Sequence, residues 1–490
     1  MKHPKRWIGI IAILIVVWFL RPLFHPFVMI FVVSPLRAVL IAAFLYAVWW
    51  LVVRSGLRVE QRGENNYVLK APPGRGKMIG LYVAVLIGLA VLVLVEQEIR
   101  YKITAGNIEY EKRTDVPQFE PIRLTPKAVA QRYAEDTFQN PQEHLGDSQI
   151  VLVDGVLKRV MPRLPDGVFL YFLNKLSGFV TVDVDTLDRK VGIENAEFKY
   201  SEGIGLVDNL YYQLSLKRYF VTYSDEPTYL KTPDNQWVAA VPYMGYKGFV
   251  FRMPYWAGVM VVHQDGTIED FSPEAAAEVP YLKGNRIHPK EIVNFYAHAY
   301  AYRGGLLNKW FLHKNQTEVV SLPGNENIFH VPTHEGFKQL VVAEPYGRSY
   351  GIYKIFIFDA TTGEREIIEY DETSQLTGPV AAADYIKKEF PTYDWNVFNL
   401  SEPRPIKVGG DLHWLLSIVP RDNAGIASTV LLNTRTNAVI NTKTEGDLKA
   451  FLQNGTPPAG EAEGGDANTN IRRKIEDIER ALGELKGLLK

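Results

Sequence analysis

Charge is nearly absent from four stretches of the first 95 residues and frequent afterwards. Trp7–Leu20, Phe27–Val33, Leu36–Val53 and Met78–Val95 are almost wholly apolar, whereas the remainder mixes polar and apolar positions like a water-facing protein. A helix needs about 20 apolar residues to cross a bilayer core of roughly 30 Å. Leu36–Val53 and Met78–Val95 each approach that length. Trp7–Val33 is interrupted by Arg21, Pro22, His25 and Pro26. Read as one element, it is a long helix kinked at its prolines; read as two, a short interfacial piece precedes a second run. Residues 1–96 thus form a transmembrane region of about three spans. No small-residue cleavage site follows the first run, as a secretory signal would require. Arg21 and His25 are expected at a helix break, where Arg21 can reach a headgroup.

Basic residues orient these spans. Lys2, Lys5 and Arg6 mark the tail, and Arg54, Arg58, Arg62, Lys70, Arg75 and Lys77 mark the loop 54–77. The expected topology places tail and loop in the cytoplasm. The large domain then lies outside the cytoplasm, at the cell membrane.

Beyond the spans the pattern changes to helices followed by alternating strands. Prolines announce three helices: Pro126 before KAVAQRYAEDTF, Pro289 before KEIVNFYAHAYAY, and Pro379 before VAAADYIKKEF. The first interval is about twice the second, so a further helix is expected in Leu206–Tyr219. Hairpin turns are expected at Asp185–Asp188, Asp265-Gly266, Thr362-Gly363 and Asn433–Asn437. This gives an α+β array of helix-plus-antiparallel-sheet modules, with boundaries 97–203, 204–283, 284–376 and 377–453.

Phe358–Glu364 (FDATTGE), after an apolar strand and behind a helix, resembles the hairpin of PepSY-like domains, and Val262–Ile268 (VHQDGTI) matches more loosely. The resemblance covers about half of the outer domain. It implies small domains of a helix wrapped by a short antiparallel sheet. It also implies extracytoplasmic binding, regulation or peptidase inhibition. It carries no catalytic residues.

Composition narrows the chemistry. Net charge is −1, with no basic stripe in the outer domain, so nucleic acid is not an expected partner. The sequence has no cysteine, which excludes disulfides, thiolate nucleophiles and cysteine zinc sites. Gly347-Arg348-Ser349-Tyr350-Gly351 matches G-x-S-x-G, but a strand follows where a nucleophile elbow needs a helix. Ala71–Met78 lacks the first glycine and the hydroxyl of a phosphate loop. His330, His334 and Glu335, with His313 upstream, are metal-ligand types, but Pro332 prevents a helix from aligning them. Asp183, Asp185 and Asp188 lack the glycine of a calcium loop and are expected as turn residues. No metal or cofactor is expected.

Tyr243–Trp256 is the densest aromatic tract. If Tyr243, Tyr246, Tyr255 and Trp256 are exposed together they form a binding strip for a peptide, glycan or protein. If they alternate into a sheet they are core. Residues 454–470 (NGTPPAGEAEGGDANTN) read as a flexible linker. In 471–490, Ile471, Ile475, Ile478, Leu482, Leu485 and Leu489 keep heptad spacing. That segment suits self-association, docking on a partner or on its own domain, or lying on the membrane.

Together these features predict a binding or scaffold protein of an envelope assembly. Its expected partners are the lipid bilayer, other proteins and further copies of itself. The competing expectations are a membrane-bound hydrolase with scattered His, Asp and Glu, and a PepSY-like regulator of a peptidase.

Overall fold

The computed structural model describes residues 4–50, 53, 58–61, 67–70, 76–153, 155–320, 327–347, 351–371, 376–442 and 444–455. The chain opens with α1 (Pro4–Val33), α2 (Pro35–Trp49) and α3 (Gly76–Asn107). Pro22 and Pro26 both lie inside α1, so the first two apolar runs make one helix. Among the described residues, α1 and α3 are the helices long and apolar enough to cross a membrane, through Val16–Val33 and Gly80–Asn107. With 15 residues, α2 falls short of the roughly 20 that a span requires. Two of the three expected spans are thus candidates among the described residues, and the one near the N-terminus has the length and composition of a signal sequence too. Within the loop 54–77, Arg58–Gln61 and Tyr67–Lys70 pair as a small antiparallel hairpin.

Helices and sheets alternate thereafter. Short side chains and prolines set the helix starts. Pro126 caps α4 (Lys127–Thr137). After a one-turn α5 (Leu170–Leu173), the Asn209 side chain accepts from Tyr212 N at the start of α6 (Leu210–Lys217). Ser272 does the same for α7 (Pro273–Glu278), Pro289 caps α8 (Lys290–Tyr300), and Pro379 opens α9 (Pro379–Glu389). Thr444 caps α10 (Glu445–Asn454). The helices expected behind Pro126, Pro289 and Pro379, and within Leu206–Tyr219, are all present.

Among the described residues there are four larger sheets, antiparallel apart from one short parallel pairing. The first runs through Gln149–Val153, Val156–Pro165, Leu176–Asp183 and Val191–Phe198. The second runs through Thr228–Lys231, Trp237–Lys247, Met253–His263 and Ile268–Phe271. The third runs through Ile328–Thr333, Gly336–Pro345, Lys354–Asp359 and Arg365–Glu369, with Glu111–Lys112 added in parallel. The fourth runs through Arg404–Val408, Asp411–Pro420, Ser428–Asn433 and Val439–Thr442. The expected hairpin turns join neighbouring strands in each sheet. At one of them glycine is obligatory: Gly363 has φ +74°, and a Cβ there would lie 2.7 Å from His288 Cδ2.

All four sheets share one irregularity. The first edge is split, so that two short strands pair end to end with the same long second strand. The gaps fall at residues 146–148, 224–227, 320–327 and 401–403.

The sheets do not keep separate cores. One apolar cluster joins Phe179 and Phe198 of the first sheet to Tyr229, Trp237 and Val261 of the second. Another joins Leu340 and Ile355 of the third to Trp414 and Val430 of the fourth. A third cluster brings Val129 of α4 and Val180 of the first sheet against Phe337 and Val419. Each such fully buried side chain contributes about 1.5–3 kcal/mol, so these shared clusters bind sheet to sheet.

Candidate functional site: a basic cavity at the split edges

Two of the edge gaps, and the start of the strand Ile328–Thr333 in the third sheet, meet at one cavity. Its volume is about 440 Å³, and it is lined by Ser148, Ile328, Phe329, His330, Glu402 and Pro403 from those gaps and adjoining strands. Arg123 and Lys127 reach it from before and within α4, Arg159 from the first sheet, and Arg286 from the segment ahead of α8. The gap at 224–227 supplies Glu226 to the same network: Gln149 Nε2 donates to Glu226 at 3.0 Å, and Arg286 Nη1 donates to Gln149 Oε1 at 3.1 Å. Lys290 pairs with Glu226 at 2.7 Å.

Glu402 is the acidic centre. It lies 3.1 Å from Arg123 and 4.0 Å from Arg159, and accepts the Lys127 backbone N–H at 3.0 Å. Burial alone would raise its pKa, but Arg123, Arg159 and Arg404 outweigh that and hold it below the usual carboxylate range. Arg404 is buried beneath. It donates to Ser417 Oγ at 2.7 Å and to the carbonyls of Arg123 and Leu124. Burial, with Arg123 close by, pushes its guanidinium down to about 9. His330 is buried. Burial and the cations Arg286, Lys290, Arg123 and Arg159 hold its imidazole well below the usual range, so it is neutral. Arg159 Nη1 also donates to Ser148 Oγ at 2.8 Å.

The lining therefore sets Arg123, Lys127, Arg159 and Arg286 against one carboxylate, Glu402. Low-dielectric walls concentrate that positive field. Guanidinium groups offer paired donors suited to carboxylate or phosphate. Acid–base catalysis has weaker footing here, because it favours groups titrating near neutral pH. Both Glu402 and His330 are shifted away from that range. Two carboxylates that are pushed up to about 7 by burial, Glu202 and Glu344, are not among the cavity-lining residues.

The residues singled out from sequence fall elsewhere. Tyr243 is buried in the second sheet and donates to Asp270 Oδ1 at 2.8 Å. Tyr246 is half-buried and donates to Thr222 Oγ1, Tyr255 lies under Lys247, and Trp256 packs on the core while donating to Gly258 O. Of the two expectations for Tyr243, Tyr246, Tyr255 and Trp256, the jointly exposed strip does not form: both faces of the strand are covered at Tyr243, and the other three are partly buried. His334 pairs with Glu120, Glu335 with Lys338, and His313 stacks on Tyr346, so only His330 of that group reaches the cavity. Among the described residues no cluster of three or more His, Asp or Glu could hold a metal. Asp183 pairs with Lys158 beside its hairpin. Ser349 and most of Ala71–Met78 lie outside the described residues. So do the linker 456–470 and the heptad positions Ile471, Ile475, Ile478, Leu482, Leu485 and Leu489.

Arg123, Arg159, Arg286 and Glu402 carry no linear motif. A faint signal exists at two gaps: Ser224-Asp225-Glu226-Pro227 and Ser401-Glu402-Pro403 place Glu-Pro immediately before the inner edge strand.

No family model matches the chain, and no curated protein does. Solved structures with some likeness include a thermostable family-43 glycoside hydrolase, 8% identical over 62% of this chain and 75% of that one, with TM-score 0.20. A putative glycoside hydrolase from Parabacteroides distasonis is 13% identical over 70% and 84%, with TM-score 0.20. A levansucrase from Bacillus subtilis is 9% identical over 69% and 93%, with TM-score 0.18. Scores this low carry no argument about fold or activity.

Proposed function

We propose that this chain is a membrane-anchored binding protein whose domain captures an anionic ligand, a carboxylate or phosphate, in the basic cavity. The observation that supports it most is the density of cations around the cavity: Arg123, Lys127, Arg159 and Arg286 line it together with Glu402. In this reading the four sheets act as an array of α+β modules whose split edges supply the ligand contacts. The domain stands on the extracytoplasmic side, as the basic residues of the tail and of loop 54–77 favour. The segment 471–490 supplies association with further copies or with a protein partner.

Calorimetric titration of the full chain in detergent with inorganic phosphate and with citrate tests this. At least one should bind, more weakly as salt rises. Arg286→Gln and Lys127→Gln should each lower affinity about tenfold, the usual weight of a charge-assisted contact. Absence of binding by either anion, or variants that bind as tightly as the parent chain, would sink the reading.

A further inference from the structure

The domain grips α1 along its side. Tyr212 Oη of α6 donates to Phe19 O, Tyr219 Oη donates to Arg21 O at 2.7 Å, and His25 Nε2 lies 3.0 Å from Val221 O. Farther along, Arg252 Nη1 donates to Val32 O at 3.0 Å. Phe19 to Val32 is about 20 Å of helix at 1.5 Å per residue. These contacts fall within the apolar window Val16–Val33. Arg21 and His25, the polar interruptions of that window, are the residues that face the domain. The other side of the helix is bare: Phe19, Phe24, Phe27 and Phe31 are all exposed. Any depth at which lipid covers those side chains takes the bonded loops with it.

Those loops are themselves apolar. Beside Tyr219 stands Phe220, exposed. The loop Val168–Leu173 joins the segment entering α6 through Gly205 N donating to Tyr171 O at 2.7 Å, and its Phe169 is 81% and Leu173 77% exposed. Phe249 is 90% exposed in the hairpin that ends at Arg252, whose carbonyl accepts from Arg100 Nε of α3 at 2.8 Å. Phe311 and Leu312 are 72% and 73% exposed next to Trp310, which donates to Glu98 of α3. Soluble surfaces scatter such groups singly; here four loops carry them, of which three bond to α1 or α3 and the fourth, Val168–Leu173, to the segment leading into α6. Exposed Lys217, Lys247 and Lys314 flank the loops, and Trp310 is the residue type that favours the headgroup level.

We infer that the domain is seated against the bilayer, with the loops around Phe169, Phe220, Phe249 and Phe311 in contact with lipid beside α1 and α3. It does not stand clear of the lipid on a stalk. This rests on the membrane-anchored reading above. The occupant of the apolar surface is the lipid of the anchoring membrane itself, since three of its loops bond to α1 and α3, whose large apolar side chains are bare.

The chain lacks cysteine, so single probes are simple to place. The full chain is reconstituted in nanodiscs of phosphatidylcholine and phosphatidylglycerol. An environment-sensitive fluorophore is attached to Phe169→Cys, Phe249→Cys or Phe311→Cys. Ile87→Cys in α3 reports the anchor, and Ala424→Cys in the fourth sheet gives the aqueous reference. Brominated lipid should quench the three loop probes and the Ile87 probe about twofold or more, leaving the Ala424 probe unchanged. Quenching at Ile87 with none at the loops overturns the seating and leaves the anchor standing. No quenching at Ile87 overturns both. Loop probes quenched no more than the Ala424 probe in discs, but shielded when the chain is concentrated, would overturn lipid in favour of a second copy.

Discussion

The basic cavity and the apolar rim beside α1 and α3 break the same rule in opposite directions. Charge is normally outside and large apolar groups inside. In the cavity, Arg404, Arg159 and Glu402 are withdrawn from water, and each is held by partners drawn from distant parts of the chain. At the rim, Phe169, Phe249 and Phe311 are left largely in the open. The cavity is thus costly to disturb and locked to the fold, whereas the rim is nearly free of folding energy. The first shapes a site that others must fit; the second needs only a solvent that is not water.

Predictions that sharpen this contrast begin at the cavity. Glu402→Ala leaves Arg123, Arg159 and Arg404 without their shared carboxylate. Removing one partner of a buried ion pair costs about 3–5 kcal/mol, which chemical denaturation of the detergent-solubilised chain should register. Loss below about 1 kcal/mol would mean that water already screens the cluster.

A second effect is tied to pH. Buried His288, set between Trp256 and Phe358, is held down to about 3, chiefly by burial and then by Arg365. Its folded pKa lies below the ordinary 6.5, so the unfolded chain binds the extra proton. The stability it contributes is present above pH 6.5 and is lost as pH falls toward 3. By pH 5 that loss is about 2 kcal/mol. Glu202 and Glu344, both raised to about 7 by burial, run the opposite way: their contribution is full at low pH and is lost as pH rises toward 7. The readout is therefore a difference. His288→Asn should recover about 2 kcal/mol relative to the parent chain between pH 7 and pH 5. Parallel pH profiles would show that His288 titrates normally.

At the rim the expected effect on folding is smallest. Phe249→Ser and Phe311→Ser should each change stability by about 0.5 kcal/mol or less, as exposed substitutions do. A loss of several kcal/mol would show that these side chains are packed against something within the protein, and the contrast between the two regions would collapse.

Local chemistry was legible from the chain. Prolines 126, 289 and 379 marked helix starts, and Asp265-Gly266 and Thr362-Gly363 marked hairpins, because caps and turns depend on a few neighbouring residues. The facing of the aromatic tract is not legible from the chain. Alternation shows that Tyr243 and its neighbours take opposite sides of a strand, but not which side a second sheet will cover. Two of the three expected spans have the length and composition to cross a membrane; α2 is described as an α-helix only to Trp49, within an apolar run that continues to Val53.

Sequence alone determined the greasy N-terminal helices, the absence of cysteine chemistry and the order of helices and hairpins, since each is written in composition or in contacts a few residues apart. Tertiary structure alone decided that Arg123, Arg159, Arg286 and Glu402 share a cavity, and that the loops carrying Phe220, Phe249 and Phe311 bond to α1 or α3. Both outcomes join residues far apart in the chain, and such joining follows from how sheets pack on one another through shared apolar clusters.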